Sequence, residues 1–309
     1  MLPNYKNKAV LVTGANGYIG SALVNRLLEL GATVSTLSRN SVMRTGVQSF
    51  IGDIRDAQEW PKWVKGMEIV FHLAAQTNHK IAEQDVNLDW QTNCQSFLSL
   101  LNACKASGRK IKIVYASTVT ASGIDDSRPP TFYDVHKLCN EGYLHLFAEH
   151  NGLSGVVLRL ANVFGPSSGV SKDGRGILNW MVKEAINKHR LTVFGTGEWM
   201  RDYVFIDDAI EAFVLAGIAP SVSGASYDVV SGVGTKFLEA VQMVAKLVEK
   251  STGKPVSVSL ESNQSLSEVD KRSYVGNLSK VQDALKWQPT VNLQDGLVRL
   301  VAEAMGKSA

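Results

Sequence analysis

The sequence predicts an α/β fold: a doubly wound parallel sheet with helices on both faces, then a smaller, mainly helical lobe. Three observations predict it. Short β-like runs alternate with longer helical patterns through the first half. A glycine-punctuated turn, T-G-A-N-G-Y-I-G, joins the first run to the first helix. Near residue 165 the alternation stops at a loop rich in Gly, Ser and Pro, G-P-S-S-G-V-S-K-D-G-R-G, beyond which helical patterns predominate. The expected division is residues 1–165 for the sheet domain and 166–309 for the lobe, with returns of the second part to the sheet.

The elements follow in order. K-A-V-L-V-T at 8–13 is an apolar run short enough for a buried strand, and the helix from Tyr18 to Leu30 stops at Gly31. A-T-V-S-T-L at 32–37, S-F-I at 49–51, E-I-V-F-H-L-A at 68–74, I-K-I-V-Y-A-S at 111–117 and G-V-V-L-R-L at 155–160 continue the strands. Helices are expected at 89–106 and 133–149 between them. In the lobe, helices are expected at 176–188, 207–218, 235–250 and 292–304, with short strands at 191–194 and 226–230.

Composition bounds the function. The 309 residues are 45% apolar and 20% charged, as in an ordinary globular chain. A net charge of +3 and the lack of a polybasic run argue against nucleic-acid binding. No apolar run approaches the roughly 20 residues of a membrane span. M-L-P-N-Y-K-N-K-A-V has no leader pattern, and Cys94, Cys104 and Cys139 have no metal-type spacing; reduced thiols in a cytoplasmic protein are expected, with no metal.

Gly14, Gly17 and Gly20 open the first helix. Glycine permits a tight bend and close approach of the backbone to a pyrophosphate, beside the free N–H groups of a helix N-terminus. A dinucleotide is therefore expected on Gly14, Asn16, Gly17, Tyr18, Ile19 and Gly20. An acid at the end of the second strand would favour NAD; the chain has Ser38 and Arg39, which suit a 2′-phosphate, so NADP(H) is favoured and NAD(H) remains open.

Y-D-V-H-K at 133–137 places a tyrosine and a lysine one helical turn apart. A nearby ammonium favours the phenolate, so the pair could move protons while a hydride moves to or from the dinucleotide. A hydroxyl to hold the reacting oxygen is available at the end of the 111–117 strand, in Ser117 and Thr118.

These features together resemble the extended short-chain dehydrogenase/reductases, in particular the nucleotide-sugar epimerase/dehydratase family of UDP-glucose 4-epimerase-like enzymes, over nearly the whole chain. The resemblance implies a Rossmann-type domain, with Tyr133 as acid/base, Lys137 as its partner and Thr118 as the hydroxyl on the sugar. It implies further cofactor contacts from Asp53 and Ile54 in G-D-I, from Leu73, Ala74 and Ala75 in H-L-A-A, and from Ser117 and Asn93, although Asn93 could equally bridge backbone groups. It implies substrate contacts from Asn162 in R-L-A-N-V-F-G-P, from Asn179, and from Arg201 in R-D-Y-V-F-I-D-D, where Asp207 and Asp208 are expected to cap a helix.

The pattern departs in three places. S-E-V-D at 267–270 lacks the family's phosphate arginine, for which Arg272 is the candidate. The loop between Thr118 and Tyr133 is short. Val119 and Thr120 stand where a dehydratase needs an Asp-Glu pair, which excludes that reaction. What remains is a nucleotide-sugar epimerase acting at hexose carbon 4 through a keto-sugar, or an NADPH-dependent 4-keto-sugar reductase, or a silent binding protein of the same fold. The resemblance implies a homodimer through a four-helix bundle of the 89–106 and 133–149 helices, and Phe97, Leu98, Leu100 and Leu101 with Leu138, Leu144, Leu146 and Phe147 are more apolar than one buried face requires.

Overall fold

Seven parallel strands set the frame. In the computed structural model, which describes residues 3–41, 44–123, 128–167, 176–220, 222–262, 266 and 268–306, the strands are β1 (Ala9–Thr13), β2 (Thr33–Ser38), β3 (Val47–Ile51), β4 (Ile69–His72), β5 (Lys112–Thr118), β6 (Ser154–Leu160), β7 (Asn162–Phe164), β8 (Arg190–Phe194), β9 (Met200–Phe205), β10 (Ala225–Val229), β11 (Gly234–Lys236) and β12 (Ser257–Glu261). The main sheet runs β10-β6-β5-β4-β1-β2-β3. Parts of three loops singled out in the sequence, residues 124–127, 168–175 and 267, lie outside the described residues.

The central strands are apolar on both sides because helices cover both faces. Val10, Val12, Phe71, Val114 and Val156 pack on one side. Leu11, Val70, Ile113, Tyr115 and Val157 pack on the other, with Trp60, Trp63, Phe97 and Leu100. The strand order reverses between β1 and β4, and the crevice at the carboxyl ends of such strands is where this architecture binds ligands.

The second half does return to the sheet. The run expected at 226–230 in the lobe is β10, paired with β6 from Ala225↔Val156 to Val229↔Leu160. Gly224 N–H bonds Gly155 O at 2.7 Å and fixes that register, a long-range contact that no local pattern announces. The helix Ile206–Ile218 is buried along most of its length, and Arg26 on the helix Tyr18–Glu29 reaches its Glu211 at 2.5 Å. The strands β7, β9, β11 and β12 have no counterpart in the sequence reading. They form a three-stranded sheet, β11-β9-β7, and a pair, β12-β8, whose partners are distant in sequence.

The helix expected at 89–106 is broken. It consists of Val86–Trp90, a π-helical turn Gln91–Gln95 and Ser96–Ala106. The helix carrying the tyrosine runs Phe132–His150, with Thr131 capping it by accepting from Asp134 N–H. Among the described residues no helix is long and apolar enough to cross a membrane.

Candidate active site

The glycine end of the crevice is made of backbone. Gly14 has φ of +69°, and a Cβ there would lie 2.9 Å from Ala74 N; a Cβ on Gly20 would lie 2.3 Å from Gly14 O. Only glycine allows strand, turn and helix to meet this closely. Gly17 leads into the helix without any side-chain cap, so its first N–H groups have no side-chain acceptor. The side chain of Asn16 donates to Ser38 Oγ at 3.2 Å and Asn40 O at 2.9 Å, while its Oδ1 is buried without a partner. A glycine cradle, an uncapped helix start and an orphaned acceptor fit a bound dinucleotide.

Strand ends complete this wall. Thr13 Oγ1 accepts from Leu73 N–H and Ala74 N–H at 3.2 and 3.1 Å, which leaves its single hydrogen for His72 Nδ1 at 3.1 Å. Burial holds the His72 imidazole down to about 3, so this ring stays neutral and structural. Ala75 is half-buried beside them. Asp53 is gripped by Arg55, Nη2 to Oδ2 at 2.7 Å, and that bond holds its carboxyl below the usual range. Ile54 is buried, and its carbonyl accepts from Trp60 Nε1 at 2.9 Å. Arg39 is exposed, whereas Ser38 Oγ already donates to Asn40 O at 2.7 Å.

Four of the expected site residues, Tyr18, Ile19, Ser117 and Asn179, have side-chain contacts within the protein itself. Tyr18 Oη and Asn179 Nδ2 both donate to Gly165 O at 2.8 Å, and Asn179 Oδ1 accepts Gly165 N–H at 3.1 Å, so both residues anchor the turn after β7. Ile19 packs partly buried against the core. Ser117 points to the other side of β5, where its hydroxyl donates to Glu141 Oε1 at 2.6 Å. Strand alternation explains this: consecutive residues of β5 face opposite ways, leaving Thr118 for the crevice side.

The chemistry end is made of buried polar side chains. Tyr133 and Lys137 lie one turn apart, with Lys137 Nζ 5.7 Å from the Tyr133 ring centre and 4.7 Å from that of Tyr115. Lys137 donates to Ala116 O at 2.7 Å, and burial depresses its ammonium to about 8. Burial also pushes the Tyr133 phenol well above its ordinary range, with Asp134 and Asp89 adding to the rise and Arg272 opposing it. The lowering expected from Lys137 is therefore reversed in this structure, because desolvation of the phenol dominates.

Two buried carboxylates flank the pair. Asp89 accepts from Asn93 Nδ2 at 3.1 Å and Gln76 Nε2 at 2.7 Å, with His136 Nδ1 at 2.6 Å. Asn93, held in the π-turn, also accepts from Gln76 N–H and donates to Gln76 O, both at 2.9 Å, so it takes the backbone-bridging role. Asp134 accepts from Thr131 Oγ1 at 2.6 Å and from Thr120 Oγ1, and Thr120 in turn bonds Thr118 Oγ1 at 2.9 Å. The His79 ring meets Tyr133 edge-on at 5.1 Å. Sequence reasoning missed Asp134 and His136, although both lie inside the quoted Y-D-V-H-K. A charged or ionisable residue between a tyrosine and a lysine was the available signal.

The second half supplies the outer wall. Asn162 donates to Asp202 O at 2.9 Å. Arg201 donates to Asp270 O at 2.6 Å, and burial, then the charge of Arg272, disfavours its own charge. Arg272 lies close enough to Tyr133, Asp134 and His79 for their charges to interact, and its Nη1 is buried without a partner. It thus sits at the tyrosine end of the crevice. Asp207 and Asp208 are in the first turn of their helix and cap nothing by side chain; Asp208 instead accepts from Thr290 Oγ1 and from the N–H groups of Thr290 and Val291. A cleft of about 530 Å³ lined by Lys8, Glu68, Arg109 and Lys110 lies at the opposite, amino-terminal end of the strands, where this fold does not place its chemistry.

Known proteins agree with this geometry. The model of the NAD dependent epimerase/dehydratase family matches residues 10–229. A UDP-glucose 4-epimerase of Mycolicibacterium smegmatis is 30% identical, over 96% of this chain and 99% of that protein. The solved UDP-glucose 4-epimerase of Thermotoga maritima with UDP-glucose superposes with a TM-score of 0.85 at 27% identity, over 96% and 99% of the two chains. That of Thermus thermophilus in complex with NAD gives 0.81 at 28% identity, with the same coverage. On its glycine turn, its Tyr133–Lys137 pair and this full-length match, the chain belongs to the NAD dependent epimerase/dehydratase family.

Proposed function

We propose that this protein is a nucleotide-sugar 4-epimerase that uses a nicotinamide dinucleotide. The observation that carries the proposal is the buried pair Tyr133 and Lys137, with Lys137 bonded to Ala116 O near the carboxyl end of β5, in a chain similar along its whole length to UDP-glucose 4-epimerases. A dinucleotide held at the glycine turn would supply hydride-transfer chemistry at the sugar carbon. As the phenolate, which the Lys137 charge favours against the burial that raises the phenol, Tyr133 would take the hydroxyl proton and give it back. Lys137, fixed on Ala116 O, supplies a positive charge beside the phenol and a donor for the nicotinamide ribose. On this reading Asn162 contacts the substrate's phosphate or sugar, and Arg201 and Arg272 supply the charge for its diphosphate; Asn162 and Arg201 also bond the carbonyls of Asp202 and Asp270.

An exposed Arg39 and no acid at the end of β2 favour NADP(H), although a relative's structure holds NAD. Phe97, Leu100, Leu101 and Leu144 are fully inside this subunit's own core, which leaves Leu98 and Phe147, half-buried, and exposed Trp90, Val135, Leu138 and Leu146 as the face for a homodimer. Three free cysteines suit a cytoplasmic setting.

The test is to incubate the purified protein with UDP-glucose and no added reductant, and to identify by mass spectrometry any dinucleotide released on denaturation. UDP-galactose formed with a retained cofactor is the expected result. Turnover of a 4-keto-sugar nucleotide that consumes NADPH mole for mole would replace the epimerase with the reductase.

A further inference from the structure

We infer that Tyr274 is a positioning residue: its bond to Asp228 holds Arg272 at the tyrosine end of the crevice. The inference rests on the reading of Arg272 as a contact of the substrate diphosphate. It starts from an unfavourable placement. Arg272 is half-buried, and its Nη1 is buried without a partner among the described residues. A buried charged donor left unmatched is costly. The guanidinium of Arg201 lies close enough for the two charges to repel. Such a side chain gains by turning out to water, so its backbone has to be held.

The chain from 270 to 276 is fastened along β9. Asp270 O accepts from Arg201 Nη2 at 2.6 Å. Met200 N–H donates to Ser273 Oγ at 3.1 Å, and Met200 O accepts Tyr274 N–H, also at 3.1 Å. Gly276 N–H donates to Asp202 Oδ2 at 3.2 Å. These bonds fix the segment to the small sheet, β11-β9-β7. The helix of Tyr133 packs instead on β5 and β6 of the main sheet.

Tyr274 joins the two. Its Oη donates to Asp228 Oδ2 at 2.9 Å, and Asp228 lies on β10 of the main sheet. Burial and the Asp228 charge keep the Tyr274 phenol above its ordinary range, so it stays protonated and remains the donor. Asp228 is the register partner of Arg159 on β6, and Arg159 Nη2 meets Glu141 on the Tyr133 helix at 2.5 Å. The tether therefore refers Arg272 to the same strands that hold Tyr133. With only Ser273 between Tyr274 and Arg272, a slack tether lets the guanidinium move.

The probe is UDP, bound in calorimetry to wild type, Tyr274→Phe, Arg272→Ala and the double variant. Arg272→Ala should weaken binding about tenfold, one charge-assisted contact's worth. Tyr274→Phe removes one oxygen and should weaken it about fivefold. The double variant should match Arg272→Ala to within about twofold, because the tyrosine acts through the arginine. Asp228→Asn keeps an oxygen acceptor and should stay within about twofold of wild type. Asp228→Ala cuts the same bond from the other end, should copy Tyr274→Phe, and replaces it if that variant does not fold. Losses that multiply in the double variant overturn the inference, since the tyrosine then acts apart from the arginine. A Tyr274→Phe that lowers the urea midpoint but leaves UDP affinity unchanged overturns it too, as does a wild type that does not bind UDP. A wild type that shows the expected pattern with UDP but forms no UDP-galactose keeps the tether and removes the epimerase reading.

Discussion

The two ends of the crevice are built on different principles. The dinucleotide end is local: Gly14, Gly17 and Gly20 lie within seven consecutive positions, and what they provide is the absence of side chains. The tyrosine end is non-local: Asp89, Asn93, Thr118, Thr120, Tyr133, Asp134, His136 and Lys137 arrive from five elements and are mostly buried. A backbone site is specified by a short motif. A buried polar site needs every donor matched to an acceptor, because an unmatched one costs about 1–3 kcal/mol. Hence the first end tolerates change around it and the second does not.

Substitutions can break this contrast. Tyr133→Phe removes the proton-transfer group and should lower kcat by about 10²–10⁴-fold, with KM changed little, measured as UDP-galactose formation. Retained turnover would mean that the chemistry does not pass through this phenol. Next in size is Glu141→Ala. Glu141 is buried and accepts from Arg159 Nη2 at 2.5 Å and from Ser117 and Ser226, so its loss strands a half-buried guanidinium. Breaking such a pair should cost about 3–5 kcal/mol in urea unfolding.

Smaller effects sharpen the contrast at the other end. Gly14→Ala forces a left-handed backbone on a residue with a side chain, about 1–2 kcal/mol before its contact with Ala74 is counted. Dinucleotide binding should fall with it in fluorescence titration, while the Tyr133 network stays folded. Arg39→Ala should shift the ratio of NADPH to NADH affinity by about tenfold toward NADH, one charge-assisted contact's worth. An unchanged ratio would assign cofactor choice elsewhere.

The smallest effect is one of pH. Lys137 is depressed by burial to about 8 from an unfolded value of 10.5, so between these pH values the unfolded chain binds more protons than the folded one. Stability from this group therefore rises with pH across that window. Lys112, likewise depressed to about 8 by burial, adds in the same direction. Lys137→Met should flatten, without abolishing, the rise seen in unfolding free energy above pH 8.

Much of the fold was legible because its signals are short-range. The strands β1, β2, β4, β5 and β6 are apolar runs between turns, and the 3.6-residue spacing of the long helices is visible without any partner. At the site, the Tyr133–Lys137 spacing and the glycines were readable for the same reason. For Tyr18 and Asn179 the motif gives the position but not the bond to Gly165, and for Asn93 it offers backbone bridging without naming Gln76, since these partners come by tertiary contact. The run at 226–230 was legible as a strand but its partner was not, because β10 is chosen by the free edge of β6, more than sixty residues earlier.

By itself, then, the sequence determined a parallel α/β fold, a dinucleotide turn and a tyrosine–lysine pair, since each depends on spacing along a few turns of chain. The tertiary structure decided which hydroxyls face the crevice, that Arg272 sits near Tyr133, and that the phenol is raised and not lowered. Burial and hydrogen-bond direction are properties of surroundings, and those are assembled from residues far apart in the chain.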